Sequence, residues 1–206
     1  MKVIAFNGSP HDDRAVAKGI SKIAGELAKE SIETEIIHVG DKSIRGCMDC
    51  RQCRELKHCA ISGDPVNGAF EKMQAADGVI LGSPVYYGGV AGTFKCFLDR
   101  LFFPGPEMQF KVGATVVSLR RTGGIATFQQ LNNYFNLSGM IITPGIYWDV
   151  IHGNSTDEVL KDEEGIQIME AQGRNMAWLL KTLAAGKEEG LLPPPLTNRK
   201  RTNFIR

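Results

Sequence analysis

The chain has 206 residues, 43% of them hydrophobic and 23% charged, and its 24 basic and 23 acidic side chains give a formal net charge of +1. That is apolar material enough for one generous domain, and the even charge excludes electrostatic binding of nucleic acid or a membrane surface by the body of the protein. No run of eighteen or more apolar residues occurs, and the opening MKVIAFNGSP lacks a long apolar stretch and a small-residue cleavage site, so neither a membrane span nor a signal peptide is expected and the chain is read as cytoplasmic.

Residues 2–6, KVIAF, make a short β-rich run that ends at the turn signal Asn7-Gly8-Ser9-Pro10. From 14 to 29, Val16, Ile20, Ile23, Ala24 and Leu27 recur at helical spacing. Residues 34–39, TEIIHV, read as a second strand. The segment 44–65 has no period and is expected to be an ordered loop. A short helix follows over 66–75, then a continuous apolar strand over 77–85, as expected where both faces of a parallel sheet are covered. A helix over 90–103 places Phe94, Phe97, Leu98 and Leu101 on one face. A fourth strand spans 112–119, a helix 125–137, and a fifth strand 140–148, interrupted by Pro144-Gly145. The last helix covers 157–184 with a break expected at Gly165.

Strands alternating with helices define an α/β fold. Five strands suit a three-layer α/β/α, flavodoxin-like parallel sheet of order 2-1-3-4-5 better than an eight-unit barrel. The reading is one domain over residues 1–189, with the cysteine loop inserted after the second strand, and a Pro-rich, then basic, tail over 190–206. In such a sheet ligands bind beyond the carboxyl ends of the strands, where strand order reverses. Three loops meet that description. NGSPHDDRAV leads into a helix whose free N–H groups suit a phosphate, with Ser9 and Arg14 beside it and Asp12 and Asp13 opposing an anion; an ordinary capped turn is the competing reading. SPVYYGG places Tyr86 and Tyr87 at a strand end, followed by glycines that let backbone approach a flat ligand. Two such rings suit a planar heteroaromatic or a neighbouring subunit. RRTGG offers two arginines before paired glycines.

The cysteines are concentrated: Cys47, Cys50, Cys53 and Cys59 follow C-x2-C-x2-C-x5-C, and only Cys96 lies elsewhere, where it reads as core packing. In a reducing compartment such a cluster binds metal or does redox chemistry rather than forming structural disulfides. Zinc sites usually split their ligands into two distant pairs. A metal cluster, a CxxC redox pair and free thiols all remain readings, with Arg45, Arg51, Arg54 and Lys57 as neighbours that would stabilise thiolates. His152 reads as a structural histidine or as one reaching a bound ring, and Trp148 and Trp178 read as core or interface.

GSP after the first strand, SPVYYGGVAGTFKCFLDR after the third and RRTGG after the fourth resemble the NADPH-dependent FMN reductase-like flavodoxin superfamily, and the compact cysteine stretch resembles its iron–sulfur flavoproteins. TFQQLNNYF, YWDVIHG and NMAWLLK extend the resemblance to about residue 182. It implies an FMN-dependent oxidoreductase that holds the phosphate with Ser9, His11, Arg14, Ala15 and Val16. Pro84, Val85, Tyr86, Tyr87 and Gly88 would line the isoalloxazine, and Arg120, Gly123 and Gly124 would close over the flavin or its ribityl chain. It also implies one 4Fe–4S cluster on Cys47, Cys50, Cys53 and Cys59, a layout in which two-residue spacers let a curled loop aim three sulfurs inward while a longer spacer closes the fourth corner. The donor would be NAD(P)H or a ferredoxin-like carrier, the acceptor a small molecule, and the assembly a homodimer or homotetramer. An NAD(P)H-dependent quinone or flavin reductase without iron is the alternative, and a thiol or metal sensor on the same scaffold a second. The phosphate loop departs from the family pattern: a basic residue and an Asn-Thr or Asn-Ser pair are replaced by His11, Ala15 and Val16. Each lost charge-assisted hydrogen bond is worth about 1.5–3 kcal/mol, so weaker FMN binding is expected.

Overall fold

The structure is a computed structural model that describes residues 1–195, 200, 202 and 204. In chain order the elements are β1 (Lys2–Asn7), α1 (Ala15–Lys29), β2 (Glu33–His38), α2 (Cys53–Leu56), α3 (Val66–Ala75), β3 (Gly78–Tyr86), β4 (Gly89–Val90), α4 (Gly92–Phe102), β5 (Val112–Leu119), α5 (Gly124–Leu137), β6 (Ile141–Ile142), β7 (Val150–His152), α6 (Thr156–Val159) and α7 (Glu163–Glu188). The sheet runs β2-β1-β3-β5-β6, with β7 also parallel to β5 and β4 antiparallel to β3. The expected parallel order 2-1-3-4-5 is therefore present, its fifth position shared by β6 and β7.

Alternation along each strand splits the core in two. Ile4, Phe6, Val79, Leu81 and Val117 face α3, α4 and α5, where Phe70, Met73, Phe94, Phe97, Leu98, Leu101 and Phe135 pack. Val3, Ala5, Ile80, Ala114 and Val116 face α1 and α7, where Val16, Ile20, Ile23, Leu27, Met169 and Met176 pack. No described helix is long and apolar enough to cross a membrane.

One local feature matches the sequence expectation and three differ from it. The fifth strand is interrupted at Pro144-Gly145: Thr143 N–H still bonds Gly113 O at 2.8 Å, the chain then leaves the sheet, and it rejoins where Val117 N–H reaches Asp149 O at 3.0 Å. The break before the last helix falls at Asp162 rather than Gly165, because the Asp162 carboxylate caps α7 by accepting from Gly165 N–H at 3.0 Å. A β-hairpin precedes α4, with Val85 opposite Val90 and Tyr86 opposite Gly89. One turn of helix, α2, sits inside the cysteine loop. At its C-terminus α7 closes in a Schellman cap, with Leu191 N–H on Gly186 O, Gly190 N–H on Lys187 O, and Gly190 at φ +81°. Residues 191–195 follow without regular structure; at 196–199, 201, 203, 205 and 206 the expected basic tail lies outside the described residues.

Helices α1 and α7 cross at Gly173, where an added Cβ would lie 2.8 Å from Glu26 Cβ and 2.9 Å from Ile23 O. Gly173→Ala should cost about 1–3 kcal/mol by forcing the two backbones apart. Gly25→Ala, with nothing within 4 Å of the new methyl, should gain roughly 0.5–1 kcal/mol. Urea midpoints moving in opposite directions would check both.

Candidate functional site

The first loop is built around Asn7, which is 1% exposed at the end of β1. Its side chain accepts from Ser9 N–H at 3.0 Å and donates to His11 O at 3.1 Å, while Ser9 Oγ accepts from His11 N–H at 3.1 Å. The imidazole of His38, at the end of β2, bonds Ser9 O at 2.8 Å. The loop is thus held from below, and it delivers the chain to α1, which has no side-chain cap and no acidic residue in its first turn. Its first N–H groups are free for an anion. Ala15 and Val16 are buried, and an added Cβ on Gly82 would lie 2.6 Å from Val16 Cγ1. Apolar residues at these two positions pack on the sheet, so they offer only backbone to a phosphate. His11, Asp12, Asp13 and Arg14 are exposed.

The second loop is tied to the first by Gly8 N–H, which bonds Gly82 O at 2.8 Å. The hairpin turn is Tyr87-Gly88, with φ of +50° and +75°, the signature of a type I′ turn. Tyr87 holds a conformation that a bulky residue rarely adopts. Its ring is fully exposed at the turn, and Tyr86 is half-exposed beside it. Pro84 and Val85 are half-buried. The third loop meets the second at Gly123, whose φ is +89°. An added Cβ there would lie 2.8 Å from Val85 Cγ1 and 2.9 Å from Gly88 Cα. Arg120 and Arg121 are exposed and Gly124 is buried at the start of α5. The fold therefore brings all three loops together at the carboxyl ends of β1, β3 and β5. Glycines stand at these contacts, Gly8 on Gly82 and Gly123 on Gly88, beside the uncapped start of α1. The residues present fit a phosphate-bearing flat cofactor, with backbone rather than side chains as the main phosphate ligand.

Beside this cradle lies a cavity of about 360 Å³, on the far flank of Gly123 and Gly124. Arg121, Ile125 and Ala126 form one wall, Tyr147, Trp148, Val150 and His152 another, and Asp162, Glu164 and Ile168 a third. Sequence reasoning missed this pocket because the residues come from four separate elements. Trp148 is half-exposed and packs edge-on to Tyr147 at 4.5 Å between ring centroids, so it lines the pocket rather than filling the core. Trp178 is also outside the core, at 65% exposure on α7. The backbone N–H of His152 donates to Asp162 Oδ2 at 2.6 Å, and its half-exposed ring faces the cavity.

The cysteine loop curls because Asp49, Arg51 and Lys57 take left-handed φ values of +50°, +60° and +62°. Each costs a non-glycine residue of order 1–2 kcal/mol. Each of the three lies between two successive cysteines. Cys47, Cys50, Cys53 and Cys59 all line one small cavity with Arg51, Arg100 and Phe103. Cys53 is buried; burial pushes its thiol up, and the neighbouring sulfurs of Cys50, Cys59 and Cys47 add to the shift. A single tetrahedral zinc would need its sulfurs about 3.8 Å apart, from Zn–S bonds of about 2.3 Å. No group of three or more His, Cys, Asp or Glu among the described residues is set to hold one metal ion. The four cysteines nevertheless line one common cavity.

Of the basic residues singled out from the sequence, Arg51 pairs with Asp49, and Arg54 and Lys57 are exposed. The cation that touches a thiol is Arg100, which sequence reasoning did not select. Cys96 is half-buried beside Gly46, at 3.5 Å from where a Cβ on that glycine would stand, so it packs on the stem of the cysteine loop.

These loops on a doubly wound sheet define a flavodoxin-like protein. Residues 1–155 match the family described as NADPH-dependent FMN reductase. An iron–sulfur flavoprotein of Methanocaldococcus jannaschii is 34% identical over 192 residues, 89% of this chain and 99% of that protein. One of Methanosarcina thermophila is 29% identical over 201 residues, 92% of this chain and 100% of that protein. Among solved structures, RosB with a bound 8-demethyl-8-formylriboflavin-5′-phosphate superposes with a TM-score of 0.69 at 17% identity, over 100% of this chain and 93% of that one. A flavodoxin from the domain Archaea gives 0.60 at 15% identity, over 88% and 99%. The structural likenesses speak for the fold alone. The chain belongs to the iron–sulfur flavoprotein family, within the NADPH-dependent FMN reductases, and is an FMN-dependent oxidoreductase.

The segment that carries Tyr147 and Trp148 is anchored by Asp149, which is 3% exposed and accepts from Thr115 Oγ1 at 3.0 Å. Burial raises its carboxyl to about 7, against the Thr115 hydroxyl, which favours the charged form. The folded value lies above the unfolded one of about 3.9, so the folded state holds an extra proton between about pH 4 and 7. Stability should fall as pH rises through that window and stay reduced above it. Asp149→Asn should match the parent near pH 4 and exceed it above pH 7 by roughly 2–4 kcal/mol, read from urea unfolding at the two pH values.

Proposed function

We propose that the protein is an electron-transfer flavoprotein. On this reading residues 1–189 form the FMN-binding domain, FMN sits across the three loops, and one 4Fe–4S cluster sits on Cys47, Cys50, Cys53 and Cys59. The observation that carries the cluster is the convergence of the four thiols on one cavity, in a chain whose relatives are named iron–sulfur flavoproteins. When bound, FMN supplies both one- and two-electron chemistry, and a 4Fe–4S cluster supplies single-electron transfer.

The chain's own residues bind, orient and shield. Backbone N–H groups at the start of α1, with the Ser9 hydroxyl and Arg14, hold the phosphate. Pro84, Val85, Tyr86 and Gly88 form one wall for the ring, with Tyr87 at its rim. Gly123 and Gly124 allow backbone to approach it closely. Arg120 and Arg121 place positive charge at its edge. The pocket walled by Tyr147 and Trp148 receives a small-molecule donor or acceptor next to the ring and excludes water from it. NAD(P)H or a ferredoxin-like carrier is the donor. The exposed Tyr87, Tyr147 and Trp148 support a homodimer or homotetramer, working in the cytoplasm.

Anaerobic purification, an absorption spectrum and assays of FMN, iron and acid-labile sulfide on one sample test the reading. Flavin bands over a broad absorption that bleaches on reduction, with about four irons per chain, are expected. Flavin without iron or sulfide, even after reconstitution, would leave an NAD(P)H-dependent quinone or flavin reductase. Ser9→Ala removes one phosphate donor and the bond to His11 N–H, and should raise the FMN dissociation constant about tenfold to a hundredfold in a fluorescence titration.

A further inference from the structure

Arg100 is on the face of α4 that packs toward the cysteine loop, and it is 1% exposed. Every nitrogen of its guanidinium is engaged. Nε donates to Cys59 Sγ at 3.2 Å. Nη1 donates to Arg45 O at 3.2 Å and to the Asp64 carboxylate. Nη2 donates to Ile61 O at 2.9 Å and to Asp64 Oδ1 at 3.2 Å. Burial works against the charge, but Asp64 and Cys59 outweigh it and hold the guanidinium more firmly protonated than usual.

The partners are not scattered. Arg45 lies just before the first cysteine, and Ile61 and Asp64 just after the last, so one planar group ties the two stems of the loop and touches one of its four thiols. Cys59 is gripped a second time from α3: its N–H donates to Asn67 Oδ1 at 3.1 Å and its carbonyl accepts from Asn67 Nδ2 at 2.9 Å. We propose that Arg100 is a positioning residue which holds the cysteine loop in its ligand-ready shape without metal, and which, through its N–H on Cys59 Sγ, raises the reduction potential of the group the thiols hold. The clamp stands on this geometry alone, while its effect on potential rests on the cluster reading above.

The physical reasons are two. A buried guanidinium with no partner is very costly, so Arg100 and its acceptors order one another before any metal arrives. A charge-assisted hydrogen bond to a ligand sulfur stabilises the more negative, reduced state of a metal–thiolate group more than its oxidised state. Lysine would keep the charge but not the planar fork that reaches Arg45 O, Ile61 O, Asp64 and Cys59 at once.

The test compares the parent with Arg100→Lys and with the double variant Arg100→Met/Asp64→Leu, which removes the buried pair without stranding either charge. Amide hydrogen exchange is first followed in reduced, metal-free protein over residues 45–64, with β1, β3 and β5 as internal controls. The expected result is a protected loop in the parent and exchange about tenfold or more faster in either folded variant, with the sheet unchanged. A parent loop that exchanges like free chain overturns the clamp whether or not the variants fold, and so does a folded variant that exchanges like the parent. Samples are then reconstituted with ferrous iron and sulfide, and the potential is measured by redox titration. A lower potential in the variants is expected; an unchanged one overturns the tuning role. If the parent itself takes up no iron, the cluster reading fails, and the exchange data still decide the clamp.

Discussion

Strand β3 lies between β1 and β5 and is buried on both faces, so its backbone groups must find partners inside the sheet until it ends. Pairing with β1 lasts to Gly82 and with β5 to Pro84. Where it stops, the neighbouring loops supply what the ladder no longer does. Gly8 N–H reaches Gly82 O, and the Ser83 hydroxyl takes up Ala91 N–H at 3.1 Å while donating to Pro84 O. The cradle is the consequence of this termination. Gly123 keeps a side chain out of the contact between the second and third loops, while Gly8 and Gly82 leave room for Phe94 and for Val16 and Ile20 of the flanking helices.

The cysteine loop meets the same constraint in another way. It has almost no ladder of its own, and several of its residues hold left-handed conformations. Its order comes instead from one buried cation on α4 and one amide on α3, each satisfied almost entirely by loop atoms. Helix α4 thereby serves both sites: Phe94 fills the space left by the missing side chain of Gly8, and Arg100, near the other end of the helix, holds the loop. Movement of one site relative to the other is limited by the stiffness of a helix packed into the core through Phe97, Leu98 and Leu101.

A third polar cluster lies under the segment that leaves the sheet after Pro144. Thr143 Oγ1, Asp149 Oδ1 and both polar atoms of Gln172 are buried without a hydrogen-bond partner among the described residues. These groups lie beneath the irregular segment that bears Tyr147 and Trp148. Asn175 steadies the segment from α7 by donating to Pro144 O at 2.7 Å.

Much of this was legible in the chain. Continuous apolar runs marked β1, β3 and β5, and apolar repeats marked α1, α4 and α5 to within a residue or two, because burial imposes the same period locally and globally. The three loops and the four cysteines were legible as well, since turn glycines and close thiol spacing are local signals. The tertiary structure alone decided the rest. It folded Tyr86 and Gly89 into a hairpin and gathered a pocket from α5, β7 and α7. Above all it chose Arg100. Along α4 this is one of three charges, beside Asp99 and Lys95, and its meaning comes from Asp64, Ile61 and Arg45, which lie 36, 39 and 55 positions away. Sequence patterns record which face of an element is buried; which distant group satisfies a buried charge is settled only when the faces meet.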